Sequence, residues 1–150
     1  MENAPLDLAQ VDPKWLRETL DASGIRWRVI VISSCYSGSF VPALQDENTL
    51  IITASAADRQ SFGCSSESDY TYFGRAFFDQ AMREQTSIQG AFNQAKDTVA
   101  KWENAQGFEP SEPQWSIGKN MQFMLPQLEQ RLFPPATTTP AQQESIQAKL

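Results

Sequence analysis

The sequence predicts an α/β fold in which helices pack on a mostly parallel sheet. Two runs, residues 25–32 and 50–54, are apolar on both faces, as strands in the middle of a parallel sheet are. Segments with apolar residues at helical spacing precede, separate and follow these runs. Because successive parallel strands need crossover connections, the order helix, strand, helix, strand, helix, helix indicates stacked helix and sheet layers.

The first predicted elements are a helix and a strand. Asp12 is followed by Pro13, a combination typical of an N-cap and the first helical position, and Gly24 provides a stop. Residues 25–32 then form a central strand that ends in four consecutive β-branched residues. A short helix over 38–44 ends or kinks at its proline. The apolar face of the first helix consists of Trp15, Leu16 and Leu20.

A long polar segment lies in the middle of the chain. The strand at 50–54 is followed by residues 55–69, which are polar and rich in serine. A segment of that length without regular structure is usually functional or mobile in a compact domain. A helix follows over 70–82, and Thr86 and Gln89 fit a capping box that opens another helix.

The last third of the chain alternates loops with short predicted elements. The second of these helices ends near Gly107, and a loop with two prolines follows. A strand is predicted around 121–125, and Pro126 begins a last short helix. Residues 134–150 are rich in proline, threonine and glutamine, which predicts a disordered tail. The sequence therefore predicts one folded domain over 1–133 and a tail.

Composition restricts the partners of the protein. Its 150 residues suit a single domain, and 12 basic against 18 acidic residues give a net charge of −6, which argues against nucleic acid and anionic membranes. No apolar run reaches the ~18 residues of a membrane span, and no signal-peptide pattern is visible, so no compartment is assigned. Cys64 is interpreted as a loop thiol; no spacing typical of metal ligands occurs, and neither a metal nor a cofactor is predicted.

A cysteine stands where the first strand ends. Residues 29–32 lead into Ser-Ser-Cys-Tyr-Ser-Gly, which presents the Cys35 thiol at the carboxyl end of a buried strand. A helix that starts just after Cys35 would aim N–H groups at the thiolate and at an oxyanion. Since ligands bind beyond the carboxyl ends of parallel strands, the 55–69 segment would meet Cys35 at one edge of the sheet. The alternative is an inert cysteine that ends a core strand.

Three segments in order resemble a known family. Residues 30–40 resemble the catalytic-cysteine segment of the legumain-like (asparaginyl endopeptidase) family of cysteine peptidases, which have a caspase-type fold. Residues 52–64 resemble the next strand and specificity loop of that family, and 71–74 the start of the next helix. Residues 24–28 are similar to bacterial members, and the resemblance covers about 16–114. It implies a caspase-like three-layer sandwich and a cysteine-type endopeptidase that acts on peptides or proteins.

The resemblance also implies roles for individual residues. Cys35 corresponds to the nucleophile, and its backbone N–H helps to hold the oxyanion. Ser55 and Ser61 border the pocket for the residue before the scissile bond.

Two departures from the family concern specificity. Ser33 stands where legumain has an acidic residue that lines this pocket, and Arg75 stands where legumain has an aspartate. We therefore expect asparagine specificity to be altered. Since guanidinium binds carboxylate in a bidentate manner, Arg59 or Arg75 could favour an acidic side chain, the alternative being two solvated surface arginines.

The chain contains no histidine, although a cysteine nucleophile is normally paired with a histidine base. In caspases the histidine precedes the cysteine by about 50 residues. Cys35 has 34 residues before it. We therefore expect that the first strands and the histidine segment fall before Met1, that the chain is the C-terminal part of a peptidase domain, and that it has little or no activity alone.

Two other interpretations remain open. The chain could be a pseudoenzyme or protein-interaction module that keeps the scaffold without the dyad; a His-Gly segment upstream would argue against this. An α/β-hydrolase with a cysteine elbow needs glycine two residues either side of the nucleophile. Ser33 and Ser37 stand there instead, so this interpretation is the weakest.

Overall fold

Helices and strands alternate through the described part of the protein. The structure, a computed structural model, describes residues 11–63 and 70–134. The strands are β1 (Arg28–Ile32), β2 (Thr49–Thr53) and β3 (Gln114–Ile117). The first helices are α1 (Pro13–Ala22) and α2 (Val41–Leu44), with a 3₁₀ turn at Ser37–Phe40 before α2. Helix α3 runs without interruption through Tyr72–Gly74, a π-helical stretch at Arg75–Ala81, and Met82–Glu84; α4 is Ile88–Gln106 and α5 is Lys119–Leu132.

The three strands form one mixed sheet in the order β1-β2-β3. β1 and β2 are parallel, with Ile32 opposite Thr53, whereas β2 and β3 are antiparallel, with Thr53 opposite Gln114. The prediction of an α/β protein is confirmed, and of the two strand pairs among the described residues one is parallel and one antiparallel. The parallel β1–β2 pair brings the carboxyl ends of both strands to the same edge of the sheet.

The central strand of the described sheet is β2, and β1, which was predicted to be central, lies at the edge of that sheet. All five residues of β2 are buried. β1 pairs with β2 alone among the described residues, and Val29 is 40% exposed. A run that is apolar on both faces shows that both faces can be covered, but it does not tell how many strands flank it.

The end of the domain differs from the prediction. The last strand is β3, and residues 121–125, predicted to be a strand, belong to α5. Met121 and Leu125 are buried one helical turn apart, while Phe123 is 77% exposed, so the apolar spacing is helical. Pro126 lies inside α5 and does not begin it.

Helix α4 begins one residue later than the capping box predicted. The Ser87 side chain, in place of Thr86, accepts a hydrogen bond from the Gly90 N–H at 3.0 Å. The helix ends at Gly107, whose φ of 69° provides the left-handed C-cap that the sequence predicted. Its inward face carries the apolar stripe that packs on the sheet and on α3.

Helix α1 has no fully buried side chain, Leu16 and Leu20 being half-buried, and its N-cap by Asp12 is confirmed. Trp15, part of the predicted apolar face, is 56% exposed. Arg17 contacts Asp21 at 2.8 Å and Asp46 at 3.2 Å, and Arg28 of β1 contacts Asp21 at 2.9 Å. These four residues form a charged cluster that joins α1 to β1 and to the turn before β2.

The core lies between the sheet and helices α3, α4 and α5. Its largest buried side chains include Phe73 and Phe77 of α3 and Leu50 and Ile52 of β2. In residues 11–63 and 70–134 no helix is long and apolar enough to cross a membrane. Cys64, residues 65–69 of the long polar segment and residues 135–150 of the predicted tail lie outside the described residues.

Candidate active site

Cys35 lies in an exposed turn immediately beyond the carboxyl end of β1. Tyr36, the next residue, has φ 58° and ψ 19°, a left-handed conformation that is uncommon for a residue other than glycine. Gly38 packs against the backbone after β2, where an added Cβ would be 2.6 Å from the Ala57 nitrogen. The turn is therefore tight on its inner side and leaves Cys35 on the outer side.

The Cys35 thiol is held by the backbone of Ser61. Its Sγ lies 3.1 Å from the Ser61 carbonyl oxygen, to which the S–H donates, and 3.2 Å from the Ser61 nitrogen, which donates to sulfur. A second contact joins the same two segments, because the Tyr36 N–H donates to the Arg59 carbonyl at 2.8 Å. Residues 59–61 and the cysteine turn are thus fixed together, as the convergence of strand ends predicted.

A buried pair of serines ties the turn to the end of β2. Ser37 and Ser55 are both 0% exposed, and their hydroxyl oxygens are 3.3 Å apart. The Ser37 N–H donates to Ser55 Oγ at 3.2 Å, and the Ser55 N–H donates to Ser37 Oγ at 3.1 Å. The Ser55 hydroxyl also donates to the Ser34 carbonyl. Ser55 therefore supports the turn from beneath, and its hydroxyl does not reach the surface.

Some backbone N–H groups around the thiol already donate a hydrogen bond, and one does not. The N–H groups of Tyr36 and Ser37 already donate to Arg59 O and Ser55 Oγ. The Cys35 N–H donates to no acceptor within residues 11–63 and 70–134. A carbonyl oxygen that receives negative charge beside Cys35 could accept a hydrogen bond from this N–H.

Ser33 connects the turn to the start of α3. Its hydroxyl is 2.6 Å from Thr71 Oγ1, which also caps α3 by accepting the Gly74 N–H at 2.9 Å. An added Cβ on Gly74 would be 3.1 Å from Thr71 Oγ1 and 3.5 Å from Ser33 Oγ. Ser33 and the first turn of α3 therefore lie side by side next to Cys35.

The two candidate specificity arginines have different surroundings. Arg59 forms ion pairs with the exposed Glu109 at 3.6 Å and with Glu112 at 3.8 Å. Arg75 follows Gly74 in α3, and its guanidinium lies 5.7 Å from the ring centre of Trp102. No carboxylate of the described residues is within ion-pair distance of Arg75.

A groove of about 470 Å³ opens beside Tyr36. One wall is the 58–62 segment and the other is residues 107–110. The two walls touch through Phe62 and Phe108, whose rings stack with centroids 4.4 Å apart. The groove is large enough for a side chain of a peptide that passes Cys35.

Sequence reasoning missed several residues that build the site. Thr71 links Ser33 to α3, and Phe108 braces Phe62. Glu103 and Ser111 are buried behind them. A signal for Glu103 exists, because this glutamate continues the apolar stripe of α4 one turn after Val99. In the described part of the chain no group of three or more His, Cys, Asp or Glu residues could hold a metal ion.

A comparison with known protein families gives a match that covers most of the chain. A sequence model described as the Peptidase C13 family matches residues 2–124. A search of curated proteins found no match.

Proposed function

Because the chain belongs to the peptidase C13 family, a family of cysteine peptidases that act on proteins, we propose that Cys35 is its nucleophile. The observation that supports this most strongly is that the exposed Cys35 thiol lies where the carboxyl ends of β1 and β2 meet. The backbone N–H of Cys35 has no acceptor among the described residues. Ser61 and Ser55 hold that arrangement from two sides.

The proposed reaction is acyl transfer through a thioester. The Cys35 thiol gives its proton to a base in solution, the sulfur attacks the peptide carbonyl carbon, an S–C bond forms, and the carbonyl oxygen gains negative charge near the Cys35 N–H. Collapse of this intermediate breaks the C–N bond, and the leaving amine takes up a proton. Water then attacks the thioester, which releases the acid and restores the thiol.

The reaction needs two proton transfers, one from the thiol and one to the leaving amine. No imidazole of the chain can perform them, since its 150 residues include no histidine. The thiol proton faces the Ser61 carbonyl, which is not a base at neutral pH. A positioned general base contributes about 10²–10⁴-fold to such reactions. We therefore propose that the isolated chain hydrolyses peptides slowly or not at all, and that an external base restores part of the rate.

The absence of histidine also supports a second candidate function. A scaffold with an exposed cysteine but no base could bind peptides without cleaving them, as a pseudoenzyme or interaction module. In that case added base would not produce hydrolysis at Cys35.

Imidazole rescue separates these two functions. Purified chain is mixed with a fluorogenic peptide library at pH 7.5 with and without imidazole, beside the Cys35→Ala and Cys64→Ala variants. For a peptidase we expect imidazole to raise the cleavage rate about tenfold or more, in the wild type and Cys64→Ala alone. Equal rates in Cys35→Ala and wild type would overturn the nucleophile; peptide binding without imidazole-dependent cleavage would support the interaction module.

We also propose that the enzyme prefers an acidic side chain before the scissile bond and that Arg75 recognises it. Arg75 has no carboxylate partner among the described residues, and Gly74 packs beside Ser33 near the nucleophile. Arg59 is the weaker candidate, because Glu109 and Glu112 already surround it.

Paired electrophiles measure this preference. Two peptidyl reagents that differ only in Asp against Asn are reacted with Cys35, and the two rates are compared. We expect a faster Asp reagent in the wild type and in Arg59→Gln, and equal rates in Arg75→Gln, because the guanidinium–carboxylate pair is lost. Equal rates in the wild type would refute the acidic preference.

A further inference from the structure

Glu103 is a buried carboxylate in the core-facing stripe of α4. Its side chain is 3% exposed, one turn beyond the buried Val99. Glutamate is almost never fully buried unless its charge has partners. An apolar residue at this position would continue the packing of the helix, so the carboxylate needs a separate explanation.

The Glu103 carboxylate holds one end of a short segment, and the backbone at the end of α4 holds the other. Its Oε2 accepts the Ser111 N–H at 3.1 Å, and its backbone carbonyl accepts the Phe108 N–H at 2.9 Å. Oε1 and the Ser111 hydroxyl have no hydrogen-bond partner among the described residues.

The segment that Glu103 holds touches the candidate active site by two routes. The Ser111 carbonyl accepts the Ala56 N–H at 2.9 Å, directly after the Ser55 that supports the cysteine turn. The Phe108 ring stacks on Phe62, the residue that follows Ser61 in the sequence, and the Ser61 N–H donates to the Cys35 sulfur. Both supports of Cys35 are therefore one residue away from a contact with the 108–111 segment.

We propose that Glu103 is a positioning residue for Cys35. By accepting the Ser111 N–H, its carboxylate holds Ser111 against Ala56, and so keeps the 55–62 segment where Ser55 and Ser61 align the thiol and the Cys35 N–H toward a bound peptide. It acts at a distance and touches no substrate. This inference rests on the proposed function, since it assigns Glu103 to the geometry of that nucleophile.

Substitutions at Glu103 test the inference by a ratio of rates. Cys35 is alkylated by a peptidyl chloromethyl ketone and by iodoacetamide, and site-resolved mass spectrometry gives the two rates. Wild type is compared with Glu103→Leu, which removes the acceptor, and Glu103→Gln, which keeps an amide oxygen for the Ser111 N–H. Val99→Ala is the matched control, because it removes buried side-chain volume from α4 without touching residues 108–111. Urea unfolding is recorded for every variant.

We expect Glu103→Leu to lower the ratio of peptidyl to iodoacetamide rates about tenfold, because small displacements of a reacting group have effects of this size or larger. Glu103→Gln should restore most of the ratio. Val99→Ala should leave the ratio unchanged, although it lowers the free energy of unfolding as much as Glu103→Leu does, or more. If Glu103→Leu does not fold, Glu103→Asp takes its place, since the shorter side chain also withdraws the acceptor.

Two results would overturn the inference. The first is a wild type that prefers the peptidyl reagent, together with an unchanged ratio of alkylation rates in folded Glu103→Leu or Glu103→Asp. This result would overturn the role of Glu103 and leave the proposed function standing. A wild-type chain without any preference for the peptidyl reagent would overturn the proposed function together with this inference.

Discussion

At the scale of single residues, the turn around Cys35 depends on atoms that fit with no spare space. An added Cβ at Gly38 would meet the Ala57 nitrogen at 2.6 Å and the Ser55 carbonyl oxygen at 2.9 Å, and neither backbone atom can rotate away. The cysteine turn and the segment after β2 would have to separate. The position of Cys35 therefore depends on glycine three residues later.

Gly38→Ala should destabilise the protein by about 1–3 kcal/mol, as overpacking does, and change the alkylation rate of Cys35. Gly24→Ala is the control, because Gly24 has φ +70° but nothing within 4 Å of an added Cβ. We expect Gly24→Ala to lower stability through backbone strain alone and to leave Cys35 reactivity unchanged. Urea unfolding and iodoacetamide kinetics measure both; equal effects at Cys35 would contradict the packing argument.

Ser55→Ala should cost about 1–3 kcal/mol of unfolding free energy, because the buried Ser37 N–H would lose its acceptor. Ser39→Ala removes a similar hydroxyl from an exposed position, where Ser39 Oγ donates to the Tyr36 carbonyl at 2.7 Å, and should change stability little. Chemical denaturation of the two variants gives the comparison. A loss in Ser39→Ala as large as in Ser55→Ala would show that burial of the pair is not what matters.

Part of this site could be predicted from residues alone. Cys35 and the 55–61 segment were expected to meet, because the carboxyl ends of neighbouring parallel strands lie at one edge of a sheet. The hydrogen bonds between Ser61 and the Cys35 thiol depend on how distant loops pack, and so do the contacts of Phe108 and Ser111. No local sequence pattern encodes this packing. The apolar stripe of α4 does signal the burial of Glu103, but the position of its partner Ser111 depends on the loop that returns over the end of α4.

At the scale of elements, the charged cluster ties α1, which has no fully buried side chain, to β1 and to the turn before β2. Hydrogen bonds from Arg17 and then Arg28 lower the pKa of Asp21 below its ordinary value of 3.8. A carboxyl whose pKa is lower in the folded state stabilises the fold above the unfolded pKa and loses this contribution as pH falls through the folded one.

Acidification should therefore release α1 before the core unfolds. We expect faster amide exchange in α1 for Asp21→Asn than for wild type at neutral pH, with the difference shrinking once the pH falls below about 4. Asp79→Asn, which breaks the exposed pair of Asp79 with Arg83 at 3.1 Å, is the control and should leave α1 exchange unchanged. A difference that persists undiminished at low pH would contradict this role of Asp21.

Helices and strands were predicted best where a local signal fixes them. Asp12 and Gly107 have side-chain or backbone preferences that set a helix end without help from the rest of the chain. The 121–125 run was misassigned because a short apolar run fits a strand or a buried helix until its neighbours are known. The π-helical stretch in α3 has no sequence signal of this kind.

At the scale of the whole molecule, β1 and β3 are the two edge strands of the described sheet. β1 pairs with β2 alone within residues 11–63 and 70–134, and Val29 on it is 40% exposed. An unpaired strand edge with apolar side chains can pair with another chain. We expect the purified chain to associate in a concentration-dependent way through β1.

Val29→Lys should weaken this association, because a charged side chain on an edge strand opposes edge-to-edge pairing. Val11→Lys adds the same charge at a position that is 55% exposed and outside the sheet, so it serves as the control. Sedimentation velocity over a range of concentrations measures the effect. Association that is equal in both variants would show that β1 is not the contact.

Labelling of the full chain decides whether Cys35 is a peptidase nucleophile. A peptidyl electrophile and its non-peptidyl counterpart are reacted with wild-type protein, and the rates at Cys35 and Cys64 are followed separately by peptide mapping. We expect the peptide portion to accelerate labelling at Cys35 by about tenfold or more and to leave Cys64 unaffected, because a bound peptide would hold the electrophile beside one thiol. Equal acceleration at both cysteines, or none at either, would contradict the assignment of Cys35.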